Sequence, residues 1–313
     1  MKLGTVRMYA PEEWGTLEKF SKFYGTTHTF SETGKRALSG TTNHFRKADT
    51  LRNLAHKIVP ELALEAKELD ENGFSEGISS AELSAVIEAI VLELYASLDC
   101  TRKVITEIYA KYQGVPDSTR KYFQNIQKGK IDPEFPEQLV LAVTEASWYT
   151  GFRIIRDELT HLDSGSCSKD RETGKVRYMH SGIKINGKPL IIEDIFEKID
   201  QSFNEVNQFI GRVFAYLYSS LKDEATTQLC GIFGGRAYTR TVTPSQAIDF
   251  HGGVCSSYKW FELEGNPTCI FAEQCGAYKM LTSRCRATIY KLSVSRCRCR
   301  STLPQNGQLI NCA

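Results

Sequence analysis

The sequence predicts a mainly α fold: an antiparallel helical bundle followed by a small cysteine-rich C-terminal domain of α+β or irregular structure. Two observations support this prediction. Apolar residues recur at helical spacing over long stretches of the middle of the chain, and eight of the ten cysteines lie from Cys230 onwards. A chain of 313 residues is long enough for two domains. We divide it into a mixed N-terminal segment, residues 1–75, a helical bundle, residues 76–225, and a cysteine-rich domain, residues 226–313. Within the last of these, the composition of Tyr258 to Leu263 and of Ala287 to Ser295 predicts two strands.

Residues 1–75 are predicted to form a mixed segment of loop and helix. Thr, Ser and Gly are frequent from Thr26 to Thr42, which is typical of a loop. Leucines at approximate helical spacing then predict a helix from Thr50 to Leu69. Pro60 is expected to kink this helix or to end its first half.

The longest predicted helix runs from about Ser80 to Tyr112 and carries a sustained apolar stripe. Ser79 followed by Glu82 has the spacing of a capping box, which satisfies free N–H groups at a helix start. A short helix is predicted after it, from Asp117 to Ile126.

Two more amphipathic helices complete the predicted bundle. One begins near Pro136, a favourable first-turn residue, and continues to Leu162. The other runs from about Ile192 to Leu221. Between them, Lys175 to Ile185 is predicted to form a short hairpin. Long amphipathic helices joined by modest loops are typical of a bundle.

The chemistry of the chain is concentrated at the end of the Pro136–Leu162 helix, in the string Arg156-Asp157-Glu158-Leu159-Thr160-His161. An arginine binds phosphate bidentately and stays charged at any working pH. A histidine exchanges protons near neutrality. Asp157 and His161 are four residues apart, so the carboxylate is expected to orient the ring. On an ideal helix Arg156 and His161 are about 140° apart, so their full convergence needs a distorted last turn or a second copy of the motif.

This string resembles the Arg-x4-His motif of the HEPN superfamily (higher eukaryotes and prokaryotes nucleotide-binding domains), and Asp157 fits the polar residue that commonly follows the arginine. The resemblance covers about Ser79 to Lys222. It implies a bundle of four or five helices and a metal-independent endoribonuclease, with no cofactor for catalysis. It also implies a homodimer that brings two motifs together, a role as a toxin or phage-defence effector, and a partner protein that restrains the activity.

Under this resemblance His161 acts as general base on the ribose 2′-hydroxyl or as general acid at the leaving 5′-oxygen, and Arg156 binds the scissile phosphate. Arg153, Thr160 and Lys175 are further candidates for RNA contact.

The structural alternatives are an ion pair of an arginine with a neighbouring carboxylate and capping of the last turn by His161. On that view the bundle is a non-catalytic dimerisation or nucleotide-binding module.

The C-terminal cysteines are the second candidate site. Strong zinc motifs pair their ligands as Cys-x2-Cys, and no such pair occurs here. His251-x3-Cys255 and Cys269-x5-Cys275 nevertheless predict a structural Zn²⁺ site, and the alternative is a set of small buried hydrophobic residues. A third hypothesis for the whole chain follows, a zinc-dependent protein that binds nucleic acid.

Charge and hydropathy suggest the partners. Net charge is only +2, but no Asp or Glu follows Glu273. A basic tail is a candidate surface for RNA, although it is also typical of a solvated face. The chain lacks a recognisable secretory signal and any long apolar run, so we expect a cytoplasmic protein with no membrane partner. The tail contains Lys279, Arg284, Arg286, Lys291, Arg296, Arg298 and Arg300.

Overall fold

A computed structural model describes residues 11–233, 236–246, 252–273 and 275–281. The chain divides into two compact units, Met1–Leu221 and Lys222–Ala313. The division lies close to the boundary predicted after residue 225. Residues 1–75, which the sequence suggested as a separate segment, belong to the first unit together with the bundle.

The first unit is mainly helical, and a three-stranded sheet precedes its last helix. The helices are α1 (Pro11–Phe23), α2 (Glu32–Asn72), α3 (Ile78–Tyr109), α4 (Thr119–Gln127), α5 (Glu137–Glu145), α6 (Tyr149–His161) and α7 (Ile195–Ser219). The strands are β1 (Ser166–Lys169), β2 (Val176–Ile185) and β3 (Lys188–Ile192). The prediction of a mainly α protein is therefore confirmed, and no described helix combines the length and apolarity needed to cross a bilayer.

Helices α2 and α3 pack against each other as an antiparallel pair. Ser31, which caps the start of α2, donates its hydroxyl to Glu107 near the end of α3 at 3.1 Å. Further along, Lys47 Nζ lies 2.5 Å from Glu93 Oε1. Contacts between the start of one helix and the end of the other fix the antiparallel direction. The pair contributes much of the hydrophobic core, to which α7 adds a buried face.

The loop predicted from Thr26 to Thr42 is confirmed only for residues 27–31, because residues 32–42 are the start of α2. Its glycines mark close helix packing. A Cβ at Gly40 would come within 2.7 Å of the Cys100 sulfur on α3, and a Cβ at Gly34 would collide with the Glu107 carboxylate. Because these glycines have no side chain, α3 packs close to α2. Glycine lowers the helix propensity of α2, and the packing against α3 offsets this loss. The helix also continues through Pro60, which therefore does not end it.

The start of α3 differs from the predicted capping box. The helix begins at Ile78, so Ser79 already lies in its first turn and is not the cap. The carboxylate of Glu65 on α2 accepts hydrogen bonds from the backbone N–H groups of Ser79 and Ser80, the latter at 3.2 Å. Glu65, fourteen positions before Ser79 in the chain, therefore accepts the hydrogen bond from the Ser79 N–H that Glu82 was expected to accept.

The predicted helix from Pro136 to Leu162 is two helices, α5 and α6, separated at residues 146–148. Ala146 has a ψ of 56°, outside the helical region. No proline or glycine occupies the break, and the apolar pattern continues through it, because Ala146 and Tyr149 are both buried. The α6 that results packs on α3 and β2.

The sheet of the first unit is antiparallel, in the order β1-β2-β3. Lys175 to Ile185 was predicted as a hairpin, but residues 176–185 form the single central strand. The hairpin instead joins β2 to β3, where Ile185 pairs with Lys188 on either side of the turn residues Asn186 and Gly187. Both turn residues have positive φ, of 52° and 79°, which suits a two-residue turn between twisted strands.

The second unit combines a small antiparallel sheet with helix, as the α+β prediction proposed. Strands β4 (Thr226–Phe233), β5 (Arg236–Val242) and β6 (Val254–Cys255) pair in that order, and α8 (Tyr258–Phe261) follows. The strand predicted from Tyr258 to Leu263 was wrong. Tyr258 and Phe261 are both buried, and their spacing of three residues matches a helix turn and not the alternation of a strand. The strand predicted from Ala287 to Ser295 lies outside the described residues.

Candidate active site

Three segments of the first unit meet around an open cleft of about 450 Å³, which we call the motif cleft. One wall comes from α3, one from residues 117–120 at the start of α4, and one from the last turns of α6. Arg156, Asp157 and His161 all line it, although an ideal helix places the arginine and the histidine about 140° apart. The cleft is lined by Tyr95, Asp99, Arg102, Lys103, Asp117, Ser118, Thr119, Arg120, Arg156, Asp157 and His161.

The Arg156 side chain is held on three sides. Its guanidinium lies 4.1 Å from the centroid of the Tyr95 ring. Its Nη1 is 2.9 Å from Asp157 Oδ1, and its Nη2 is 3.7 Å from Asp99 Oδ2. Stacking on an aromatic face and pairing with carboxylates both limit the rotation of a long side chain. Because a quarter of the side chain remains exposed, the guanidinium is fixed in direction and still reachable from the cleft.

Asp157 bridges two arginines. Its Oδ2 is 2.5 Å from Arg153 Nη1, and its Oδ1 accepts from Arg156. The expected contact of this carboxylate with His161 is not among the contacts of the described residues. Two permanent cations compete with one imidazole for the same oxygens, and the hydrogen bonds with ionised donors are stronger. Asp157 thus positions Arg156, whereas His161 is the exposed last residue of α6.

The Tyr95 ring on which Arg156 stacks is itself held by a hydrogen bond. Its hydroxyl lies 2.9 Å from the hydroxyl of Tyr149, which is itself buried at the start of α6. Burial raises the pKa of both phenols, so both hydroxyls stay neutral over the working range of pH. The ring under Arg156 is therefore tied to α3 and α6 at once.

The cleft also contains residues that the sequence analysis missed. Asp99 faces Arg156 and accepts a hydrogen bond from the Thr119 hydroxyl. Arg102 is buried and donates to Asp117 at 2.8 Å. The exposed cations Lys103 and Arg120 lie at the rim. These residues are 36 to 57 positions before Arg156 in the chain, and only the packing of α3 and α4 beside α6 brings them to the motif.

The three candidates for RNA contact lie in different places. Arg153 is engaged with Asp157 as described above. Thr160 turns its hydroxyl back to the carbonyl of Arg156 at 2.7 Å, and it does not line the cleft. Lys175 precedes β2, with its Nζ 3.3 Å from Asp194 Oδ2, and it also lies outside the cleft lining.

His180 on β2 is fully buried, and its two ring nitrogens have structural partners. Its Nε2 lies 3.0 Å from the carbonyl of Asp163, and its Nδ1 accepts from the backbone N–H of Gly182 at 3.1 Å. The ring therefore joins the chain after α6 to the central strand. This environment favours a structural role for His180.

In the second unit, the predicted ligands Cys255, Cys269 and Cys275 line one pocket, while His251 lies outside the described residues. Cys230 lines the same pocket and was not among the predicted ligands. Among the described residues, no group of three or more His, Cys, Asp or Glu side chains is arranged so that it could hold a metal ion. Of the basic tail, only Lys279 is described.

Comparison with protein-family models, with curated proteins and with solved structures finds no match to this chain.

Proposed function

We propose that the first unit is an endoribonuclease of the HEPN type that needs no metal ion for catalysis. The observation that carries the proposal is that Arg156, Asp157 and His161 line one cleft. The cleft is open, so a polymer can reach it, and it offers a guanidinium for the phosphate and one imidazole for proton transfer.

In the proposed reaction Arg156 binds a non-bridging oxygen of the scissile phosphate and stabilises the charge that gathers there in the transition state. One imidazole takes the proton of the 2′-hydroxyl, and that oxygen attacks the phosphorus. The bond between phosphorus and the 5′-oxygen breaks, and a second group acts as an acid and donates a proton to that oxygen. The products are a 2′,3′-cyclic phosphate and a 5′-hydroxyl. DNA has no 2′-hydroxyl, so it is not cut in this way.

One motif supplies only one histidine, whereas the reaction uses both a base and an acid. We propose a homodimer in which the exposed His161 of each copy faces the other across a two-fold axis. Lys103 and Arg120 at the rim are suited to bind neighbouring phosphates of the same RNA. We further propose the cytoplasm as the compartment, a toxin or phage-defence role, and a partner protein that restrains the activity.

The test is cleavage of labelled RNA in excess EDTA by the full-length wild type and by His161→Ala. His56→Ala is the matched control, because His56 is exposed on α2 and stacks on Phe196 away from the motif cleft. We expect cleavage by wild type and His56→Ala, ending in cyclic phosphate, and loss of cleavage in His161→Ala. A substrate with 2′-deoxyribose at the cleavage position should remain intact.

Equal cleavage by wild type and His161→Ala would overturn the assignment. So would a wild type that leaves a broad panel of single-stranded and structured RNAs intact. RNA binding that depends on Arg156 without any cleavage would favour the non-catalytic module. RNA binding that survives removal of residues 1–221 and depends on zinc would favour the zinc-dependent nucleic-acid-binding protein.

A further inference from the structure

Four cysteines of the second unit surround a single small pocket. Cys230, Cys255, Cys269 and Cys275 all line it, and none of them forms a disulfide. They come from three separate parts of the chain, since Cys230 lies on β4, Cys255 ends β6, and Cys269 and Cys275 flank the turn that begins at residue 270. Folding, and not local sequence spacing, gathers them. The remaining wall is mostly apolar and includes Ile232, Phe261 and Ala277.

The thiols are close enough to affect one another electrostatically. Burial raises the pKa of the Cys230 thiol, and the neighbouring Cys275, Cys255 and Cys269 raise it further. Burial likewise raises the pKa of Cys255, again with contributions from Cys269 and Cys275.

The pocket also contains a cation. Arg240 on β5 is buried and lines the same pocket as the four cysteines. Its guanidinium complements the net negative charge that four thiolates give to a bound divalent metal ion.

We propose that Cys230, Cys255, Cys269 and Cys275 together bind one structural Zn²⁺ ion. Soft thiolates select this metal, and four of them complete its tetrahedral shell. The ligand set replaces the His251 of the sequence-based prediction with Cys230. The ion enters as Zn²⁺ and displaces the thiol protons, with no change in oxidation state.

The pocket has a volume of about 160 Å³. Among the described residues no group of three or more ligating side chains is placed to hold a metal ion, so the proposed site forms only as the four thiols converge on the bound ion. A structural metal contributes to the folding free energy, because its site is not formed in the unfolded chain.

The zinc site is independent of the ribonuclease activity proposed above, and it is tested on the full-length chain. Zinc is measured per chain in the protein as purified under reducing conditions, and Co²⁺ is then substituted for it. The visible spectrum of Co²⁺ distinguishes four sulfur ligands from three sulfurs and one nitrogen. We expect one zinc per chain and a four-sulfur spectrum. Absence of zinc and of Co²⁺ binding, or a spectrum with nitrogen ligation, would overturn the proposal without relying on any variant.

Variants locate the site. Cys230→Ser should lower zinc affinity in a chelator competition by at least about 100-fold, because loss of a group that only hydrogen-bonds a ligand already costs about 10–100-fold. His251→Ala should keep wild-type affinity. Cys100→Ala, which removes a buried thiol of the first unit, is the matched control and should also keep it. Retention of zinc by Cys230→Ser, or its loss in His251→Ala, would refute the four-cysteine ligand set.

Discussion

The guanidinium of Arg156 lies 4.1 Å from the centroid of the Tyr95 ring, between the carboxylates of Asp157 and Asp99. An isolated surface arginine would sample many rotamers. Here one aromatic face and two acids hold the planar fork in a single direction, towards the motif cleft. The relationship connects α3 to α6, so the position of the proposed phosphate-binding group depends on the packing of two helices.

Arg156→Lys is expected to lower RNA cleavage by about 10²–10³-fold, the usual loss when one preorganised donor is removed from a developing charge. Lysine keeps the charge but has neither the planar fork nor the same stacking on Tyr95. Single-turnover cleavage rates measure the effect. Arg212→Lys is the matched control, since Arg212 is exposed on α7 and pairs with Glu145 outside the cleft. Equal rates for the two variants would show that Arg156 is not at the reacting phosphate.

Tyr149→Phe is expected to destabilise the first unit by about 1–2 kcal/mol, because it leaves the Tyr95 hydroxyl with a missing partner in a buried site. The double variant Tyr95→Phe with Tyr149→Phe should be close to wild type, since both partners are then apolar and of nearly unchanged shape. Urea denaturation of Tyr95→Phe, Tyr149→Phe and the double variant gives the coupling free energy. If the double variant loses as much free energy of unfolding as the two single variants together, the two hydroxyls are not energetically coupled.

The long helices could be predicted because their apolar stripes are long and regular. The stripe of α3 and that of α7 each span several turns, and both helices lie within a few residues of their predicted positions. The start of α2 could not be predicted in the same way. Gly34 and Gly40 are typical of a loop in sequence but serve close packing against α3, which is a tertiary effect.

Only the part of the candidate site that lies within one short segment of sequence could be predicted. Arg156, Asp157 and His161 belong to one string, so a sequence motif finds them. Asp99 and Thr119 lie on other elements, and no spacing rule connects them to the string. Cys230 was missed for the same reason: its place beside Cys255 arises from the pairing of β4, β5 and β6.

Glu65→Gln is expected to destabilise the protein by about 1 kcal/mol at neutral pH, the usual effect of a lost helix cap. Burial raises the pKa of Glu65, but hydrogen bonds from Ser80 and from the backbone of Ser79 and Ser80 outweigh it and leave the pKa below the ordinary 4.5. A carboxylate whose folded pKa is depressed stabilises the fold above its unfolded pKa, and it loses that effect as pH falls through the folded value.

The difference between wild type and Glu65→Gln should therefore be constant above about pH 5 and shrink below pH 4.5. Urea denaturation from pH 3 to 7 measures it. Glu68→Gln is the control, because Glu68 is exposed one turn further along α2. A difference that grows as the solution becomes acidic would contradict the assigned cap.

His180→Ala is expected to reduce stability by about 2–4 kcal/mol while leaving cleavage per folded molecule unchanged. The ring is fully buried and connects Asp163 to the backbone of Gly182 through its two nitrogens. Truncation removes both contacts and creates a cavity. His161→Ala should behave in the opposite way, with little change in stability, because its ring is exposed at the end of α6. Thermal denaturation and cleavage rates on the same preparations separate the two histidines. A His180→Ala protein that is fully folded but inactive would place the catalytic base on β2 and remove His161 from that role.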